Sequence, residues 1–257
     1  MRKPGEPVVT GEKNGIAVVT INRPERRNAL SRELLAQLKD VLGSYEGSSC
    51  HAIVLEGSCD CFSAGADLGE ISGSVADFAV DDAVAAVTAT IRSSSLPVIA
   101  AIEGPCIGAG VELAMACDLR VASASAFFRV PSVRLGLLYR PGAIADLARC
   151  MPPAVLSRLL LFGDTLGAEQ AASCGLVAAP VVGGSQARSR AIELASLLPS
   201  PASEAATATK RLLVELVGGT DAHEVATDFE EERRRLIGSP ARLAALATAR
   251  EQRTTLP

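Results

Sequence analysis

An alternation of short apolar runs with helix-period segments, from residue 15 to about 182, constrains this chain more than any other feature. Ile16–Ile21 (IAVVTI) reads as a strand, and Asn22-Arg23-Pro24 breaks it. Ser31 reads as the N-cap of a helix on which Leu34, Leu35, Leu38, Val41 and Leu42 recur at helical spacing, with Gly43 as its stop. Ala52 to Leu55 predicts a second strand, and the Gly/Ala loop FSAGADL follows. The spacing then predicts a helix over 79–91, a buried strand over 97–102, a Gly-rich turn, a helix over 109–116 and a strand over 119–122. Strands alternating with helices predict an α/β fold, a sheet with crossover helices. Past Val182 the pattern is only helical. Pro199-Ser200-Pro201 is the expected hinge, giving an α/β core over 1–198 and a helical region over 199–257.

A chain of 257 residues, 48% hydrophobic, can bury one sizeable core. The net charge is -4, and no Lys/Arg stripe is present. With 3% aromatics and no Trp, neither phosphate contacts nor base stacking is favoured, so nucleic acid is not an expected partner. No apolar run reaches the roughly 18 residues that a membrane helix requires. The amino-terminal segment has no apolar run of leader length, which points to the cytoplasm. Seven Cys, an odd number, fit reduced thiols. Cys50-His51 with Cys59 and Cys61 could be drawn as a metal site. However, Cys-x-Cys is the wrong spacing for common zinc knuckles, so core thiols and a loop are the plainer reading and no metal is expected.

Several chemistries drop out on motif grounds. There is no Gly-x-Ser-x-Gly elbow and there are only two His, which disfavours a serine hydrolase. There is no Gly-Lys-Ser/Thr phosphate loop. Gly104-Pro-Cys-Ile-Gly108-Ala-Gly110 lacks the dinucleotide spacing. Two small-residue turns remain, Phe62 to Leu68 and Gly104 to Gly110. Small residues can simply mean tight packing, but they also let backbone N–H groups approach a ligand. The second turn opens a helix, where free amides and the dipole favour negative charge. If the turns faced each other, their amides could stabilise a thioester enolate. Glu112 sits one turn into that otherwise apolar helix, so it must be near an end, paired or functional. Glu230 to Arg235 reads as a solvated helix face.

The segments Asn22-Arg-Pro-Glu-Arg-Arg-Asn-Ala-Leu30, FSAGADL, Pro97 to Gly104 and Gly108-Ala-Gly-Val-Glu-Leu-Ala-Met-Ala-Cys-Asp118 resemble, in order, blocks of the enoyl-CoA hydratase/isomerase (crotonase) family. Phe128, Pro131, Leu135-Gly136, Gly163 and Gly175-Leu-Val177 continue the match. The resemblance implies a spiral of ββα turns with a helical C-terminal region used for trimer contacts or as a lid, in trimers or pairs of trimers. It implies an acyl-CoA lyase of fatty acid metabolism, with a coenzyme A thioester as substrate and no other cofactor. The oxyanion donors would be the N–H groups of Ala66 and Ala109, the latter standing where the family usually has Gly. Glu112 would be the principal acid/base. Arg27, Ala29, Ala64, Asp67, Leu68 and Gly108 would line the coenzyme A and pantetheine path, and a guanidinium at Arg27 suits phosphates.

One departure stands out. Counting without gaps, the family's second catalytic glutamate falls on Ser132, which has no useful basicity near neutral pH. Glu103, Asp146 and Asp164 are possible compensating carboxylates. Tyr139 occupies a place resembling that of a Tyr in the methylmalonyl-CoA decarboxylase branch, where an enolate-stabilising pocket works without a second base; it also reads as a loop residue. Arg134 and Arg140 could meet a substrate carboxylate but read more simply as surface charges. The expectation is therefore a hydratase-type lyase, with a decarboxylase, an isomerase or a non-catalytic acyl-CoA binder as alternatives.

Overall fold

The structure, a computed structural model, describes residues 6–178, 181–184, 186–198 and 204–254. The chain divides into two compact units, residues 1–201 and 202–257. The expected hinge at Pro199-Ser200-Pro201 lies outside the described residues.

The first unit is built on a five-stranded sheet. Its strands are β1 (Val8–Lys13), β2 (Ile16–Ile21), β3 (Ala52–Gly57), β4 (Val98–Ile102) and, after a short strand of the second sheet, β6 (Leu119–Ala122). The order is β1-β2-β3-β4-β6. Only β1 is antiparallel to its neighbour. The others run parallel, with Ile16 opposite Ala52, Ile53 opposite Val98 and Ile99 opposite Leu119. Every residue of β2 and of β4 is buried, as expected of parallel strands covered on both faces. On one face Ile16, Val18, Val54, Ile99 and Val121 pack against Ala187, Ala191 and Ala195 of α7 (Ala187–Ala195). The alanines let that helix lie close. α1 (Arg32–Ser44) buries Leu34, Leu35, Leu38 and Leu42, and the Ser31 hydroxyl accepts the Leu34 amide at 3.2 Å as its cap. Gly43 does not end this helix; Tyr45 is its C-cap.

A second sheet joins β5 (Pro105–Ile107), β7 (Phe127–Arg129) and β8 (Thr165–Gly167). It corrects the sequence reading, in which 104–110 is all turn. Three-residue strands are too short to leave a periodic pattern, and Pro105 masks the first. β1 also escapes the sequence reading, since VVTGEK is mostly exposed and carries only two apolar residues. α2 (Phe78–Ser93), α3 (Ala109–Ala116), α4 (Pro141–Cys150), α5 (Pro153–Leu161) and α6 (Ala168–Ser173) complete the unit.

The second unit is helical, as expected: α8 (Glu204–Gly218), α9 (Ala222–Ile237) and α10 (Pro240–Thr254). Within it Arg211 lies 5.3 Å above the Phe229 ring and 3.3 Å from Glu232. Glu230 pairs with Arg233 at 3.1 Å and Arg234 at 3.7 Å, an exposed face laced by ion pairs. No helix among the described residues is long and apolar enough to cross a membrane.

Candidate functional site

The two small-residue turns lie side by side. The Phe62 amide donates to the Glu103 carbonyl at 2.9 Å, Ser63 N–H to Pro105 O at 3.1 Å, and Ile107 N–H returns to Ser63 O at 2.9 Å. This parallel bridge fixes the FSAGADL loop against β5. A Cβ on Gly65, whose φ is +92°, would stand 2.8 Å from the Ile107 carbonyl oxygen and 3.6 Å from the Ala109 nitrogen. A Cβ on Gly110 would stand 2.9 Å from that of Ser63. Glycine at these places is what allows the approach.

The two amides that the resemblance picks out are among several in these turns left without a partner among the described residues, Leu68 and Gly110 N–H being others. Leu30 N–H takes the Gly65 carbonyl at 2.8 Å, and Asp67 N–H takes the Leu30 carbonyl at 3.1 Å. Between them, Ala66 N–H donates to nothing among the described residues. Gly108 N–H donates to Arg129 O at 2.9 Å, and Gly108 O accepts Val111 N–H at 2.8 Å. Ala109 N–H, at the open end of α3, likewise has no partner among the described residues. The backbone strain falls on Gly108 (φ +52°) and not on Ala109, whose φ is not positive, so alanine fits there without penalty. Two amides in adjoining turns at a helix N-terminus can hold an oxygen on which negative charge develops.

Glu112 is only 6% exposed and receives the Arg140 Nε–H at 2.7 Å. Burial raises its pKa above the ordinary carboxylate value; the Arg140 hydrogen bond and charge pull against this, and the Asp81 charge on α2 adds to it. Arg140 is the N-cap of α4, and Pro141 starts that helix. Its neighbour Tyr139 turns its hydroxyl inward, donating to Gly108 O at 2.9 Å. Burial first and the nearby Glu112 charge second push the phenol well above its usual range, so it stays protonated. Arg140 therefore corrects the surface-charge reading. Arg134 does not: it is exposed and donates to the Phe162 carbonyl at 2.9 Å.

Ser132 begins a short 3-10 turn, Ser132–Leu135, and is 8% exposed. Its Oγ has no hydrogen-bond partner among the described residues. The carboxylates considered as compensation are engaged elsewhere. Glu103 Oε1 accepts Ala187 N–H at 2.7 Å while its buried Oε2 has no hydrogen-bond partner among the described residues, Asp146 pairs with Arg92 and Arg149, and Asp164 pairs with Arg158 at 2.6 Å. The carboxylate that acts on Glu112 is instead Asp81, which no motif marked.

The strand-to-helix segment 22–30 wraps the first turn. Arg27 is exposed, with φ +51°, and its carbonyl accepts Ala64 N–H at 2.9 Å. Ala29 is buried, and its carbonyl accepts from Arg23 Nη1 at 2.8 Å. Arg23 also pairs with Asp67 at 3.0 Å. The Gly69 amide, ahead of Arg23, holds the Asp67 carboxyl below its usual range. Leu68 is 67% exposed. Asn28 donates to the Ser58 and Cys61 carbonyls at 2.9 and 2.6 Å. Arg23 and Asn28 were readable in the motif but had no assigned role, because their role is to hold backbone. Cys50, His51 and Cys61 are buried, while Cys59 is exposed. No three His, Cys, Asp or Glu side chains gather as a metal would need among the described residues. Burial pushes the Cys61 thiol up to about 11, against the nearby Arg27 charge, so it is no thiolate nucleophile at neutral pH.

The sequence pattern of the enoyl-CoA hydratase/isomerase family matches residues 11–233. A Mycobacterium tuberculosis protein named "probable enoyl-CoA hydratase" is 37% identical over 174 residues, covering 66% of this chain and 68% of its own. The 2,3-dehydroadipyl-CoA hydratase of Escherichia coli is 33% identical over 171 residues, 66% of this chain and 67% of its own. A crystal structure of an enoyl-CoA hydratase/isomerase family protein from Hyphomonas neptunium superposes with a TM-score of 0.79 at 32% identity, covering 90% of this chain and 95% of that one. The chain belongs to the enoyl-CoA hydratase/isomerase family and has its crotonase fold.

Proposed function

We propose that this chain is an acyl-CoA lyase of the enoyl-CoA hydratase type, a carbon–oxygen lyase of fatty acid metabolism acting on a coenzyme A thioester. The observation that carries this is the pair of unengaged amides, Ala66 and Ala109, in touching turns one helical turn from Glu112. The thioester oxygen sits between the two amides, which take up the negative charge as the α-carbon becomes nucleophilic. Removing one such donor typically costs on the order of 3 kcal/mol of barrier. Glu112 moves the proton to or from the α-carbon, or to a water that attacks the β-carbon. Its raised pKa suits a group that must both take and return a proton near neutral pH. Arg27, Ala29, Ala64, Asp67, Leu68 and Gly108 bound the coenzyme A path. A homotrimer or a pair of trimers in the cytoplasm, with no further cofactor, belongs to the same reading.

Ser132 favours a second reading. With a hydroxyl in place of a second carboxylate, decarboxylation, which needs the enolate-holding amides but no second base, asks less of the site than water addition does. Crotonyl-CoA turnover by wild type and Glu112→Gln, followed by loss of the conjugated thioester absorbance, separates these. Turnover in the wild type that collapses in the variant supports the hydratase. Acyl-CoA binding without turnover overturns it and leaves proton transfer on another thioester, or pure binding.

A further inference from the structure

We infer that Arg140 is a positioning residue for Glu112: its guanidinium anchors Oε2 of that carboxylate and leaves Oε1 to carry the proton, with Asp81 on α2 acting as the opposing charge. This rests on the acyl-CoA reading above and assigns a role within its site.

The geometry comes first. Glu112 is 6% exposed, and a charge so placed has little water to solvate it. Arg140 supplies that solvation from one side only. Its Nε–H reaches Oε2 at 2.7 Å, and no hydrogen bond joins it to Oε1. A charge-assisted bond to one oxygen fixes how the carboxylate is turned. The other oxygen keeps its capacity to accept a proton. The anchor is itself fixed at its root. Pro141 starts α4 directly after Arg140, and the adjacent Tyr139 hydroxyl donates to Gly108 O, next to the open end of α3, at 2.9 Å. Farther along α4, Asp146 pairs with Arg92 of α2 as well as with Arg149. The helix that carries Asp81 and the helix capped by Arg140 are thus tied to each other, and both pack on α3.

The charges that face Glu112 come from every element packed against it. Burial raises its pKa; the Arg140 hydrogen bond and charge lower it, the Asp81 charge raises it, and Tyr139 lowers it. Asp81 answers to the same guanidinium: burial raises its carboxyl, Arg140 pulls it down, and Asp82 and Asp77 add to the rise. β5 contributes Cys106, which acts on Tyr139 and whose thiol burial keeps protonated. Arg140 therefore works against burial. It helps a sealed carboxylate stay ionised and so able to take a proton, which matters for a base whose expected partner position is a serine.

A ¹³C NMR titration of substrate-free protein labelled at the glutamate side-chain carboxyls tests this, with the Glu112 signal identified by its loss in Glu112→Gln. Arg140→Gln is expected to move the Glu112 titration to higher pH by about one unit, roughly a tenfold rise in proton affinity. Asp81→Asn is expected to move it to lower pH by a smaller amount. Opposite shifts are a result that a merely structural role does not produce. Arg140→Lys, which keeps the charge, is expected to return most of the first shift. Orientation is read separately with crotonyl-CoA. At a pH where Glu112 is ionised in every form, kcat of Arg140→Gln is expected to stay about tenfold below wild type, with KM changed less than about twofold. An unmoved titration in Arg140→Gln, shifts of both variants in the same direction, or a plateau kcat equal to the wild type's overturns the inference. Should Arg140→Gln fail to fold, Asp81→Asn still decides: a titration unmoved or moved upward overturns it. Shifts as expected in a wild-type protein that turns over no thioester tell against the lyase reading alone, since the titration needs no substrate.

Discussion

The two halves of the site come by their chemistry in opposite ways. The turns at 62–68 and 104–110 are built from backbone: glycines at positive φ, carbonyls and amides locked strand to strand, with the Ala66 and Ala109 N–H groups among those left without a partner among the described residues. The Glu112 side of the site is built from side chains. A buried carboxylate there is balanced by a guanidinium from a different segment, with a phenol and an aspartate around it. Backbone donors keep their geometry whatever side chains surround them. Charged side chains take their reactivity from their neighbours, so this half can change chemistry while the turns stay as they are.

Substituting each half separates them. Glu112→Gln keeps the shape and removes the proposed proton carrier; turnover should fall by about 10²–10⁴-fold with little loss of fold, read as kcat at saturating thioester. Gly104→Ala strikes the backbone half. Its φ is +56°, and a Cβ there would stand 2.1 Å from the Asp60 carbonyl oxygen. Strain and overpacking together should cost about 3 kcal/mol or more of stability, seen as a drop in Tm, with turnover lost alongside. A Gly104→Ala protein as stable and active as the wild type would break the contrast.

The smallest effect is in pH dependence. Burial holds the folded-state pKa of Glu112 above the ordinary carboxylate value. The native state therefore holds the proton more tightly than the unfolded chain does. Glu112's stabilising contribution is fully present below the unfolded pKa and is lost as pH rises through the folded one. The Tm difference between Glu112→Gln and wild type should accordingly move in the variant's favour on going from acid to neutral pH. A difference that stays flat would mean that Arg140 fully offsets the burial.

The same contrast explains what the sequence could say. Glycine and alanine in FSAGADL and at 104–110 are local signals, and so is a lone Glu112 on an apolar helix; both turns and Glu112 were legible. Ser31 as a cap and the buried parallel strands were legible from spacing. Arg140 meeting Glu112 was not, because 28 residues and a short sheet separate them, and one arginine on a loop looks like any solvated charge. Asp81 had no signal at all, since an acidic residue early in a helix is ordinary dipole chemistry. The strands at 105–107, 127–129 and 165–167 were too short for a period to form.

The central claim is that Ala66 and Ala109 hold the thioester oxygen, and infrared difference spectroscopy of bound butyryl-CoA labelled with ¹³C at the thioester carbonyl tests it most directly. The account predicts a carbonyl stretch moved to lower wavenumber on binding, in wild type and in Glu112→Gln alike, because the donors are backbone. A bound ligand whose carbonyl band stays where it is in water or moves higher would contradict it.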